Sequence, residues 1–203
     1  MMVHRLHKGS PMRRRSTGFT MIELMVTVAI VGILATIGVV AYTRNIRKVR
    51  ASEVRAVIAE IKVKEEAYQM ENGTYLGMCT TAMPTAGTMD SGCSEGDYWP
   101  TPLHTRQQMD ITGAKPARWT ALRLQPGKGA LYCQYEAIAG AAGVNGNMGA
   151  IGKSLYTEYA GGTPPKNWYY VLAQCDWDSD SSVNALYWSR GDQNIIGAEN
   201  EQR

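Results

Sequence analysis

The sequence predicts an α+β fold, a long N-terminal α-helix packed on a C-terminal antiparallel β-sheet. Three observations carry this. No proline occurs from Phe19 to Met70, over a stretch that begins uniformly apolar and becomes amphipathic. A glycine- and proline-punctuated region follows, from Gly73 to Pro116. Short runs rich in aromatic and β-branched residues then alternate with turn residues to the end of the chain. Helix first and strands after, without alternation, favours segregated layers over a parallel βαβ sheet.

The first element is the most distinctive. From Phe19 to Tyr42 there are 24 residues and one side chain charged at neutral pH, Glu23. As a helix this segment is roughly 36 Å long, enough to cross a bilayer core of about 30 Å. A carboxylate there costs about 2.5–3.5 kcal/mol on insertion, so Glu23 is a candidate functional group that needs a partner. Beyond the apolar run, Ala51, Val54, Ile58, Ile61 and Tyr68 recur at three- and four-residue spacing, interrupted by Glu65. Glu60 stands four residues before Lys64, the favourable order for a helical pair. The first stop signal is Asn72-Gly73, so one helix of about 78 Å is expected, transmembrane and then amphipathic.

The strands come later. Arg118–Leu124 and Ala130–Ile138 flank the turn 125–129 and read as a hairpin; Trp168–Cys175 and Asn184–Trp188 read as two further strands. Residues 140–167 are glycine-rich and aperiodic. The expected division is 1–18 as leader, 19–46 as transmembrane helix and 47–203 as head.

Charge is unevenly distributed. Of 21 Lys and Arg residues, five lie in the first 18 positions with no acid beside them, leaving 16 against 18 acids downstream. The formal net charge of +3 therefore gives no argument for nucleic acid. Nor does the leader have the plan of an ordinary secretory signal, whose cleavage site follows the apolar region. The small-residue site here, Gly18, precedes it, so the apolar helix would survive processing.

The order of these features, a basic leader and then Gly18-Phe19-Thr20-Met21-Ile22-Glu23-Leu24 running into an apolar helix, resembles the class III signal of type IV prepilins and of the related pseudopilins of type II secretion. The resemblance implies cleavage between Gly18 and Phe19, methylation of the new Phe19 amine, and an assembly role for Glu23, fifth residue of the product. It implies a pilin-like fold, an inner-membrane precursor with an extracytoplasmic head, and polymerisation through N-terminal helices into a surface pilus or periplasmic pseudopilus. The implied partners are further copies of the chain, a prepilin peptidase and methyltransferase, and the pilus or secretion assembly machinery. Adhesion, motility or DNA uptake would follow for a pilus; a minor pilin is an alternative. From a different class, a single-pass membrane protein with a binding or enzymatic head would make no use of Glu23.

Cys79, Cys93, Cys133 and Cys175 are an even number on a head expected outside the cytoplasm, and His104 is the one histidine beyond the leader. Disulfides are expected over zinc. Three pairings are open, and Cys79–Cys93 with Cys133–Cys175 is preferred. Asp176, Asp178 and Asp180 alternate in a turn as calcium ligands do, against the competing reading of a solvated turn; Ser181 stands where a helix–loop–helix calcium loop has glycine. Gly146 to Ser154 nearly spells a phosphate-binding loop, but the spacing needs glycine at Asn147, so no nucleotide is expected. No activated nucleophile or acid–base pair is legible, and the chain is not expected to be an enzyme.

Overall fold

The structure, a computed structural model, describes residues 18–80, 82–84, 92–101, 109–111, 113, 115–126, 130–159, 163–177 and 185–200. It divides into two units, Met1–Thr43 and Arg44–Arg203. Helix α1, Met21–Asn72, runs through both. It stops where Asn72 Nδ2 donates to Tyr68 O and Gly73 turns into the left-handed region at φ 76°, a conformation that favours glycine.

In the first unit every described side chain is exposed, including Ile22, Leu24, Ile30, Ile33, Leu34 and Ile37. By length and composition this part of α1 is sufficient to cross a membrane.

The second unit is built on two antiparallel sheets. Strand β1 (Met109–Asp110) pairs with β2 (Ala130–Leu131). The larger sheet has the order β3 (Cys133–Gly140), β4 (Trp168–Cys175), β5 (Ala185–Arg190), β6 (Gly197–Glu199). Strand alternation sends Tyr135, Ala137, Ala139, Tyr169, Val171, Ala173 and Tyr187 into one core with Ala51, Val54, Val57, Ile58 and Ile61 of α1. Ile138, Trp168, Tyr170 and Leu172 enter a second cluster with Met148, Tyr156 and the Cys79–Cys93 pair. The central strands are thus covered on both faces, which is why the first seven residues of β4, WYYVLAQ, show so little polar alternation.

Two expectations are corrected. Arg118–Leu124 is not a strand: Ala117–Ala121 form the short helix α2 directly after Pro116, whose ring cannot donate to a ladder and suits a helix start. Arg118 is buried there and donates from Nε to Ala82 O at 3.0 Å and from Nη1 to Gly77 O at 3.1 Å. The hairpin expected across 125–129 is therefore absent, and residues 127–129 lie outside those described. Ala130–Ile138 breaks at Tyr132 into β2 and β3, which join different sheets. Within the aperiodic stretch 140–167, Ala150–Leu155 form helix α3 and Thr157–Tyr159 a 3₁₀ turn. The last expected strand runs Ala185–Arg190, with Asn184 outside the described residues, and β6 extends the sheet beyond it.

The free side of β3 is closed by loop. Met78 exchanges backbone bonds with Ala137 at 2.7 and 2.9 Å, and Trp99 with Tyr135 at 3.0 and 2.8 Å. These bridges lie on either side of the disulfide-bonded segment and leave less exposed edge for unwanted strand pairing. Glu65, which breaks the apolar stripe of α1, is wholly buried and accepts Leu76 N–H at 2.9 Å. It anchors the chain just after it leaves the helix.

Candidate functional site

The N-terminal site is assembled by local chemistry. Gly18, Phe19 and Thr20 are non-helical and exposed, and the first helical residue is Met21. Thr20 occupies the N-cap: its Oγ1 accepts Glu23 N–H at 3.3 Å, while Glu23 Oε2 accepts Thr20 N–H at 2.9 Å. Thr20 Oγ1 also donates to Glu23 Oε2 at 2.7 Å. This reciprocal pattern is a capping box, satisfying two of the donors that a helix start leaves open. The carboxylate at the third helical position also sits at the positive end of the helix dipole. The signal Thr-x-x-Glu was legible in the sequence, although Thr20 was not singled out there. The geometry holds Glu23 at the helix entrance, three residues from Thr20 and beside the Gly18–Phe19 bond in sequence.

The cysteines form Cys79–Cys93 and Cys133–Cys175, with none free. Cys133 and Cys175 face each other at one end of the β3–β4 ladder, their Cα atoms 4.6 Å apart. That separation is typical of a non-hydrogen-bonded antiparallel pair. The acidic turn is represented by Asp176, which is 1 % exposed; Asp178 and Asp180 lie outside the described residues, as does His104. Among the described residues no three His, Cys, Asp or Glu side chains gather as metal ligands would.

A buried carboxylate cluster escaped the sequence reading. Glu136 points from β3 away from α1, is wholly buried, and accepts Gly96 N–H at 3.2 and 3.1 Å. The Asp97 amide and Tyr98 hydroxyl also bond to it. Its neighbour Glu95 accepts Ile151 N–H at 3.2 Å, Gly152 N–H at 2.7 Å and Tyr170 Oη–H at 2.9 Å, so it caps α3. Burial, with a contribution from Glu95, outweighs these bonds and pushes the Glu136 carboxyl up to about 7. A raised acid is favoured in its protonated form by the folded state. Its penalty is absent below the unfolded value of about 4.3 and grows as pH rises through 7. The head is expected to lose about 2–3 kcal/mol of stability between pH 5 and pH 8 from this group. Glu136→Gln should flatten that slope in thermal melts; an unchanged slope would assign the pH dependence elsewhere.

A family model described as the prokaryotic N-terminal methylation motif matches residues 13–39. The type IV major fimbrial protein FimA of Dichelobacter nodosus is 37% identical over 82 residues, covering 40% of this chain and 51% of the relative. In these stretches the chain is similar to type IV pilins. The matched motif spans the basic residues before Gly18, the capped helix start and most of the exposed apolar run. The chain spans about half the length of the curated relative it matches. No solved structure matches it. The head's carboxylate cluster, second sheet cover and disulfides lie outside residues 13–39 and rest on the structure alone.

Proposed function

We propose that the protein is a structural subunit of a type IV pilus, cut between Gly18 and Phe19, methylated at Phe19 and polymerised through its N-terminal helix. The observation that carries this reading is an apolar helix, exposed from Met21 to Thr43, with its single carboxylate fixed at the first turn. Such a surface suits lipid before assembly and other copies of itself afterwards. Glycine at position 18 is not demanded by the chain's own fold, since a Cβ there meets open space and the φ is not left-handed. The requirement is then external, as expected for a residue read by a peptidase, and the bond lies in exposed, non-helical chain where an enzyme can engage it.

Cleavage creates a cationic amine at Phe19, and Glu23 of a neighbouring copy is its partner in this reading. A charge left unpaired on burial costs several kcal/mol, so the pair sets register between subunits. The precursor resides in the inner membrane with its head outside the cytoplasm, and the product is a surface filament delivered by a pilus assembly machine. The head carries no catalytic role in this proposal. Intact-mass analysis of sheared surface filaments should show a chain that begins at Phe19 and carries about one added methyl group. A full-length chain, or one lacking the apolar run, would overturn the proposal.

A further inference from the structure

A cleft of about 180 Å³ opens in the second unit, where α1 nears its end beside the start of β4 and the turn after β5. Glu66 and Tyr75 form one side, residues 164–169 another, and Tyr156 and Asp192 complete it. The volume is below that of pockets for drug-sized molecules and suits one small head group.

Glu66 sets the chemistry. It is half-buried, and its hydrogen-bond partners are neutral: the hydroxyls of Tyr75 and Tyr169 both donate to its Oε1 at 3.2 Å. Burial first, and then Glu66 itself, pushes the Tyr75 hydroxyl up to about 12 and raises that of Tyr169 as well. Both tyrosines therefore stay uncharged donors. The nearby cations are engaged elsewhere. An ammonium has three donors, and those of Lys62, one turn before Glu66, go to Ser189 Oγ at 3.1 Å, Arg190 O at 2.8 Å and Gln193 O. Arg190 pairs with Glu158 and, at 2.6 Å, with the cleft's other carboxylate, Asp192. Among the described residues no salt bridge reaches Glu66, so its charge is uncompensated at contact distance.

Much of the remaining wall is ring carbon. Tyr156 spends its hydroxyl on Tyr169 O at 2.6 Å, and Trp168 spends Nε1–H on Val144 O at 2.7 Å. Pro164 and Pro165 add rings without a donor. Arg190 already shows a cation against this wall, its Cζ lying 4.1 Å from the Tyr156 ring centroid.

These features select the ligand. A metal ion needs several converging ligands, and among the described residues no three His, Cys, Asp or Glu side chains gather. A primary ammonium would leave N–H donors facing ring carbon. A quaternary ammonium has no donor to satisfy and needs only aromatic surface and a counter-charge.

We propose that the Glu66 cleft binds a trimethylammonium head group, with Glu66 as its counter-charge and the aromatic rings as its wall. Lys166, exposed on the same cleft, offers an ammonium to a phosphate attached to that group. Free choline and a phospholipid head group thus share the chemistry and differ at Lys166.

The test is titration calorimetry on the full chain in maltoside micelles, with choline chloride, ethanolamine and glycerophosphocholine as probes. Choline should bind at one per chain, and ethanolamine at least fivefold more weakly. Glu66→Gln keeps an acceptor for both tyrosines but removes the charge, and should weaken choline about tenfold. Tyr75→Leu should weaken it about threefold, whereas Tyr75→Phe, which keeps the ring, should bind as wild type does. Thermal melts near wild type check that each variant is folded. Glycerophosphocholine binding tighter than choline, with the gain lost in Lys166→Gln, would assign a lipid head group; equal or weaker binding would assign free choline. No choline binding by the folded wild-type chain, or undiminished binding by Glu66→Gln, would overturn the proposal. Ethanolamine binding as tightly as choline would overturn the quaternary assignment, and equal binding by the Phe and Leu variants would overturn the aromatic wall. None of these readouts involves filaments, so the pilin reading stands or falls separately.

Discussion

Glu23→Ala is expected to leave membrane insertion and Gly18–Phe19 cleavage intact while surface filament yield falls at least tenfold. Insertion should be equal or better, because the substitution removes a carboxylate that costs about 2.5–3.5 kcal/mol in an apolar helix. Assembly should fail because the Phe19 amine of a neighbouring copy would be buried without a counter-charge, a penalty of several kcal/mol. The capping box gives Glu23 a second, purely local role, since it also accepts Thr20 N–H at 2.9 Å. Glu23→Gln separates the two. Glutamine supports the same box but carries no charge, so a Gln variant as defective as Ala assigns the loss to ion pairing. A Gln variant with normal yield beside a defective Ala variant would assign it to the cap. The measurement is filament yield by shearing and blotting, set beside total membrane subunit and cleavage state. Normal yield from cleaved Glu23→Ala would remove Glu23 from assembly altogether.

Why some of this was legible in the sequence and some not follows from the range of the interactions. The helix was legible because its determinants are local: 52 residues without proline from Phe19 to Met70, a monotonous apolar run, and Asn72-Gly73 to end it. The capped helix start has equally local determinants, since Thr20 and Glu23 stand three residues apart. Arg118–Leu124 misled because Leu122 and Leu124 alternate about Arg123 as strand residues do and both are buried; Trp119, three residues before Leu122 and also buried, has the spacing of the short helix that forms after Pro116. Ala130–Ile138 misled because apolar content cannot reveal that Tyr132 is a break between two sheets. The Glu136 cluster was illegible for a different reason. Its partners come from residues 96–98, about 40 positions earlier in the chain. Nothing in CQYEAIAG distinguishes a solvent-facing Glu from one enclosed by a second layer, and that layer is built from stretches that read as loop.

The second large effect is expected from the β3–β4 disulfide. Replacing Cys133 and Cys175 together with alanine should destabilise the head by about 4 kcal/mol, the entropy regained by the unfolded chain on opening a loop of 42 residues. For a domain of this size that corresponds to a fall of roughly 10 °C in melting temperature. Cys79 and Cys93 close a span of 14 and should contribute about 3 kcal/mol, so the two double variants are ordered as well as measured. Both Cys133 and Cys175 belong to the core shared with Ala51, Val54 and Ile58 of α1. Alanine leaves that contact apolar but smaller, which adds a packing loss in the same direction. Their position at one end of the ladder makes the bridge a clamp on the register Cys133↔Cys175, Tyr135↔Ala173, Ala137↔Val171. A slip of one residue would exchange the two faces of β3, moving Tyr135 and Ala137 off α1 and Gln134 and Glu136 onto it. Thermal melts of full-length protein in detergent, with and without reductant, provide the check. The Cys133/Cys175 variant should melt lowest and should no longer respond to reduction of that bond. A melt unchanged from wild type would show that the sheet's register is held by its side chains alone.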